Sequence, residues 1–195
     1  MNAASIVIAG VGGQGTLLAS RIIGGAAIKS GCDVKVSEVH GMSQRGGSVI
    51  TFVRYGDGKV SSPVIDSGQA DAVLAFELLE AYRCVPYVKK AGGRIIANLQ
   101  KSDPMPVITG AMDFPENIPE KIRGLGIPLD LLDATALAVK SGNSRAVNVV
   151  LIGRLAAALS FPKEIWLAVL RETVKPAFLE TNVSAFDEGY YYKGK

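Results

Sequence analysis

Cysteine and histidine are almost missing from this chain, which has Cys32, Cys84 and the single histidine His40 in 195 residues. An iron–sulfur cluster needs four thiolates and a structural zinc site a comparable Cys/His set, so the chain by itself can hold neither. The two cysteines lie far apart and outside any CxxC pair, so free buried thiols in a reducing cytoplasm are expected rather than a bridge. A basic stripe is also missing. Lys and Arg number 21 against 18 Asp and Glu, and Lys89-Lys90 is the single basic doublet, so nucleic acid is not an expected partner. No apolar run approaches the roughly 20 residues that span a bilayer. The nearest candidate, 147–159, is interrupted by Gly153 and Arg154. The first residues lead into an apolar strand without a basic n-region or a small-residue cleavage site, so neither secretion nor a membrane is expected.

What is present is an alternation of short apolar runs and helical periods. Residues 5–9 (Ser-Ile-Val-Ile-Ala) are nearly continuous in apolar character, as in a strand buried on both faces. A helix is predicted over 16–30, ended by Gly31, and a second strand over 34–39, the order of a βαβ unit. Residues 49–55 are β-rich, and Gly56-Asp57-Gly58 predicts a hairpin pairing them with 59–64. Strands are predicted at 71–76, 94–98 and 129–133, with a helix over 78–90. Between 102 and 119 the four prolines Pro104, Pro106, Pro115 and Pro119 break regular helix, and 107–109 is an edge-strand candidate. Helices are then expected over 134–140, 145–159 and 163–174. The expected fold is α/β, three-layer and Rossmann-like: a mixed, mostly parallel sheet with helices on both faces and a helical C-terminal third. With no internal repeat and no low-complexity segment, residues 1–195 form one expected domain.

Two glycine-rich segments carry the functional signal. Gly10, Gly12 and Gly15 fill the three roles of a GxGxxG turn between a strand and a helix, with Gly13 and the polar Gln14 inside it. An anion is expected at such a helix N-terminus, while close helix-to-strand packing without a ligand is the plain alternative. Glu38 stands near the end of the second strand, where a nicotinamide enzyme holds the ribose, so an NAD(P)-dependent reductase stays open. The second segment, 40–47, sets Gly41, Gly46 and Gly47 beside His40, Met42, Gln44 and Arg45. Arg45 is a fixed cation suited to phosphate or carboxylate, against the alternative of a surface ion pair. Both segments follow strands read as parallel, which places them at the carboxyl edge where open α/β sheets bind ligands or partners. His40 is suited to proton transfer as a residue type, but a lone loop histidine is more often structural. A non-catalytic nucleotide-sensing module is a further reading.

Taken together, GxGGQG at 10–15 and Ser-Glu-Val-His-Gly-Met-Ser-Gln-Arg-Gly-Gly-Ser-Val at 37–49 resemble the gamma-type subunit or domain of 2-oxoacid:ferredoxin oxidoreductases, most closely the indolepyruvate-type beta subunits. Arg145, Asn148, Gly153 and the ending at 182–189 also resemble that family, so the likeness covers nearly the whole chain. The resemblance implies an enzyme that oxidatively decarboxylates an aryl 2-oxoacid, transfers the acyl group to coenzyme A and passes electrons to ferredoxin. It further implies that thiamine diphosphate, Mg2+ and 4Fe-4S clusters sit on a larger partner subunit, through which ferredoxin is served. This chain has no convincing thiamine signature of its own: Gly56-Asp57-Gly58 has the letters GDG, but no Asn-Asn dipeptide follows it. On this reading it completes the active site, with Gly10 to Gly15, Glu38 and the 40–47 loop as a wall and Arg45 as an anion contact. The aromatic ending with Phe186, Tyr190, Tyr191 and Tyr192 is expected either in an interface or folded back on the core.

Overall fold

A computed structural model of the chain describes residues 3–41 and 47–194. The first apolar run forms strand β1 (Ala4–Val11), and helix α1 (Thr16–Lys29) follows the glycine turn. Next come β2 (Asp33–His40), β3 (Ser48–Gly56), β4 (Ala72–Ala75) and α2 (Leu78–Arg83). A 3-10 turn at Val85–Tyr87 leads to β5 (Arg94–Asn98), α3 (Met105–Ile108), α4 (Ile118–Gly124) and β6 (Leu129–Leu132). The chain ends in α5 (Ala134–Lys140), α6 (Val147–Ala158), α7 (Lys163–Thr173), a 3-10 turn at Pro176–Phe178 and α8 (Leu179–Tyr190).

The six strands form one mixed sheet in the order β2-β3-β1-β4-β5-β6. Strand β3 is antiparallel to both β1 and β2, whereas β1, β4, β5 and β6 pair parallel in sequence. Strands β1 and β2 therefore run in the same direction, although β3 lies between them. Period-2 alternation sorts β1 between two cores: Ile6 and Ile8 face one layer, with α1, α6, α7 and α8, and Val7 and Ala9 face the other, with α2 and α4. Helix α6 is buried almost all round, as expected of a helix enclosed by other elements rather than one at a surface.

Four expectations change. Residues 59–64 form no strand. The Asp33 carboxylate accepts from Val60 N–H at 2.8 Å, and the Arg54 guanidinium donates to the carbonyls of Ser62 and Val64, so side chains hold this segment instead of a ladder. The hairpin partner of β3 is β2, through the 41–47 connection. Residues 107–109 are not an edge strand, because Pro104 caps the short helix α3 and Pro106 sits in its first turn. The helix predicted over 78–90 ends at Arg83, ahead of Pro86.

The aromatic ending largely folds back. Phe186 is fully buried and stacks on Tyr190 with centroids 5.7 Å apart, and the Tyr192 hydroxyl donates to the Leu131 carbonyl at 3.4 Å. Tyr191 is the ring of this group that stays exposed. Both cysteines are buried and outside any disulfide, and burial pushes the Cys84 thiol up to about 12. No helix among the described residues is long and apolar enough to cross a membrane.

Candidate functional site

The glycine turn is fixed from inside. Gln14 folds over it, its Oε1 accepting from Val11 N–H at 2.8 Å while its own N–H donates to the Val11 carbonyl at 3.1 Å. A Cβ at Gly10 would lie 2.8 Å from that Oε1 and 3.2 Å from the Phe76 ring, so this position has no room for a side chain. Gly15 has φ +89 and starts α1 in the left-handed region, which glycine enters without steric cost. Its missing Cβ also admits Asn148 of α6, whose amide nitrogen would be 2.6 Å away from one.

The second segment reaches the same edge, for a reason the strand pattern does not show. His40 and Val11 end strands running the same way, and Ser48 starts β3 between them, opposite Val11. Among the described residues, a hydrogen bond joins the two segments, from Gly12 N–H to the Gly47 carbonyl at 3.1 Å. Met42, Gln44, Arg45 and Gly46 lie outside the described residues. His40 and Gly41 are exposed, and His40 Nδ1 lies 3.2 Å from the Gly41 carbonyl. Glu38 Oε2 is 3.2 Å from the Thr51 hydroxyl and 3.5 Å from the Thr16 hydroxyl. Because β3 separates β2 from β1, Glu38 stands one strand further out than the ribose-binding acid of a dinucleotide fold. The geometry fits an NAD(P) site poorly.

Beside the turn opens a cavity of about 440 Å3 lined by Gly13, Gln14, Phe76, Gln100, Ser144, Arg145 and Val147. Phe76 and Gln100 follow the carboxyl ends of β4 and β5, and Ser144 and Arg145 precede α6. Phe76, Gln100 and Ser144 carry no local motif, and Arg145 stands out in the sequence only through the family resemblance. The usable signal was position just beyond the ends of parallel strands. Arg145 is exposed and forms no ion pair with a described residue, and the N-terminus of α6 beside it favours an anion. A larger cleft of about 800 Å3 runs along α8. Of its three carboxylates, Asp187 pairs with Lys163 at 2.7 Å and Glu188 with Lys140 at 2.8 Å, and its whole lining comes from α8 and the three residues after it. The smaller cavity, where the glycine turn, a cation and a helix N-terminus meet, is the candidate site.

Residues 5–192 match the pyruvate ferredoxin/flavodoxin oxidoreductase family. The chain belongs to that family, as an oxidoreductase subunit of the 2-oxoacid:ferredoxin type. Within it, the chain is 42% identical over 193 residues to indolepyruvate oxidoreductase subunit IorB of Pyrococcus horikoshii, covering 95% of this chain and 93% of that one. It is 29% identical over 183 residues to the common gamma subunit of the pyruvate/ketoisovalerate oxidoreductases of Thermococcus kodakarensis, covering 93% and 92%. The crystal structure of the gamma subunit of a keto/oxoacid ferredoxin oxidoreductase from Geobacter sulfurreducens superimposes with a TM-score of 0.69 at 25% identity, over 96% of each chain.

Proposed function

We propose that this chain completes the active site of an indolepyruvate-type 2-oxoacid:ferredoxin oxidoreductase whose cofactors are held by a larger partner subunit. The substrate reading is supported by the contrast between 42% identity to the indolepyruvate subunit and 29% to the pyruvate/ketoisovalerate subunit. The 4Fe-4S clusters and Mg2+ fit this chain poorly, and thiamine diphosphate is assigned with them to the partner. Its two cysteines are buried in separate connections, Cys32 between α1 and β2 and Cys84 just after α2, and no group of three or more His, Cys, Asp or Glu among the described residues could hold a metal ion. Ferredoxin is accordingly reduced through the partner.

The observation that carries the reading is the Gly12–Gly47 hydrogen bond, which makes one wall of the two glycine segments beside the Arg145 cavity. In this arrangement Gln14 holds the turn in shape, and Phe76 supplies an apolar surface against water. Arg145 and the α6 N-terminus supply positive potential for a phosphate or carboxylate, the groups that coenzyme A and the oxoacid carry, and Arg45, outside the described residues, is proposed as a second anion contact from its residue type. His40 is given no proton-transfer role.

The test is kinetic. With the assembled enzyme, indolepyruvate, coenzyme A and methyl viologen as electron acceptor, Arg45→Ala and Arg145→Ala should each raise the KM for coenzyme A or oxoacid about ten-fold, or weaken assembly, the loss of roughly one charge-assisted hydrogen bond. Cluster content, read from visible absorption, should not change. Unchanged kinetics and assembly for both variants would overturn the wall, and faster turnover of pyruvate than of indolepyruvate would overturn the aryl assignment.

A further inference from the structure

Ala75-Phe76-Glu77-Leu78-Leu79-Glu80 is an apolar run with two carboxylates in it, and the proposed wall uses neither directly. Each is 1% exposed. A buried carboxylate is costly unless paired and hydrogen-bonded, so the partners of these two show what they are held for. Glu80 Oε1 pairs with the Arg83 guanidinium at 2.5 Å, and its Oε2 accepts from the Ser48 hydroxyl at 2.5 Å. Ser48 is the first residue of β3 and follows Gly47, whose carbonyl takes the Gly12 N–H. Glu77 faces the Ser102 hydroxyl and backbone N–H, on the segment that leaves β5 through Gln100. The Gln100 carbonyl in turn accepts from Leu78 N–H at 3.0 Å. Within one turn of helix, two acids thus reach the segment that leaves β5 beside the cavity and the start of β3, which the Gly12–Gly47 hydrogen bond ties to the glycine turn.

We infer that Glu77 and Glu80 are positioning residues, a buried brace in which Glu80 fixes the start of β3, beside Gly47, through Ser48 and Glu77 fixes the Gln100 segment through Ser102. The inference rests on the wall proposed above. Fold stability alone does not call for this arrangement, because replacing buried ionic groups with well-packed apolar side chains is often neutral or stabilising. Here Arg83 is the cation paired with Glu80, and Glu77 Oε2 stays buried without a hydrogen-bond partner. Burial raises the Glu77 carboxyl above its ordinary value, hydrogen bonding to Ser102 works against that, and the neighbouring Glu80 raises it again.

The test uses Ser48→Ala, Ser102→Ala, Glu80→Gln and Glu80→Ala in the chain assembled with its partner. Hydrogen exchange is followed in peptides covering 39–50 and 99–104, together with thermal midpoint, KM for coenzyme A and kcat. Ser48→Ala should speed exchange in the first peptide about ten-fold, as loss of a hydrogen bond to a charged group implies, while sparing the second. It should also raise KM several-fold more than it lowers kcat. Ser102→Ala should do the reverse in exchange, and Glu80→Gln, which keeps an acceptor for Ser48, should recover most of what Glu80→Ala loses. Exchange that is unchanged, or that rises equally across the chain with a fallen midpoint, overturns the brace. Local exchange that quickens while KM and kcat stay fixed also overturns a positioning role, and places the failure in the wall itself.

Discussion

Two regions of this protein depend on glycine for opposite reasons: the crossing of α6 with α8, and the turn between β1 and α1. At the crossing the backbones touch. A Cβ on Gly189 would sit 1.8 Å from the Val150 carbonyl oxygen, and one on Gly153 would sit 2.1 Å from that of Phe186. In the turn, space is not what limits Gly13, since nothing lies within 4 Å of where its Cβ would be, and its φ of +96 is the constraint. The crossing glycines remove atoms so that two helices can seal a core containing Phe186 and Leu151. In the turn, Gly13 and Gly15 hold a left-handed backbone path beside a cavity, while Gly10 leaves room for the Gln14 side chain. Stability and site are thereby held in separate parts of one sheet-and-helix frame.

That separation can be broken most easily at Gly189. Both atoms nearest its would-be Cβ belong to the Val150 backbone carbonyl, so no side chain can move aside. Gly189→Ala should cost about 3 kcal/mol as an overpacked core does, lowering the thermal midpoint by roughly 10 °C. The KM values of the folded enzyme should not move. A midpoint within a degree or two of the parent would mean that the helices can part cheaply, and the contrast would fail. Gly15→Ala should show the other pattern. Left-handed backbone costs a non-glycine residue about 1–2 kcal/mol, and the Asn148 amide has to give way. The midpoint should fall by only a few degrees, while kcat/KM falls about ten-fold or more, because the turn itself is displaced. Equal losses in both quantities would put Gly15 with the packing glycines.

How much of this was legible in sequence follows the same division. The nearly continuous apolar run Ile6-Val7-Ile8-Ala9 revealed a strand buried on both faces, and Gly10 to Gly15 revealed the turn, because both are local patterns. The insertion of β3 between β1 and β2 was not legible, since the apolar pattern of 48–56 is compatible with either neighbour and pairing is decided by contacts far apart in sequence. The Gly56-Asp57-Gly58 signal misled because side chains claim the backbone of 59–64: Asp33, 27 residues before Val60, and Arg54, 8 and 10 residues before Ser62 and Val64. Likewise Gln14 could be named in advance, but Phe76, Gln100 and Arg145 meet it only once β4, β5 and α6 are in place.

A smaller effect is expected at Gln14, the side chain that locks the turn. Gln14→Ala removes the acceptor for Val11 N–H, worth about 1 kcal/mol, and should lower kcat/KM with a midpoint change of only a few degrees. Gln14→Glu keeps an acceptor at that place and should restore the turn better than alanine does. Failure of glutamate to outperform alanine in kcat/KM would show that the amide acts on a ligand rather than on the turn.

The smallest and most diagnostic effect concerns Glu77, where the edge that forms the site should be carrying a cost that the helical layer does not. Burial, opposed by hydrogen bonding to Ser102 and reinforced by Glu80, raises its carboxyl above the ordinary value of 4.5. A carboxyl with a raised folded pKa binds its proton more tightly in the folded state. Its contribution to stability is therefore fully present below the unfolded value and is lost as pH rises through the folded one. Glu77→Gln, neutral at every pH, should match the parent chain in thermal midpoint near pH 4 and exceed it by a degree or two at pH 7. At the α6–α8 crossing, the difference between Gly189→Ala and the parent should not change with pH over that interval, because its cause is steric. A Glu77→Gln midpoint that falls below the parent as pH rises would mean that the ionised carboxylate is stabilising, and that the edge holds no such cost.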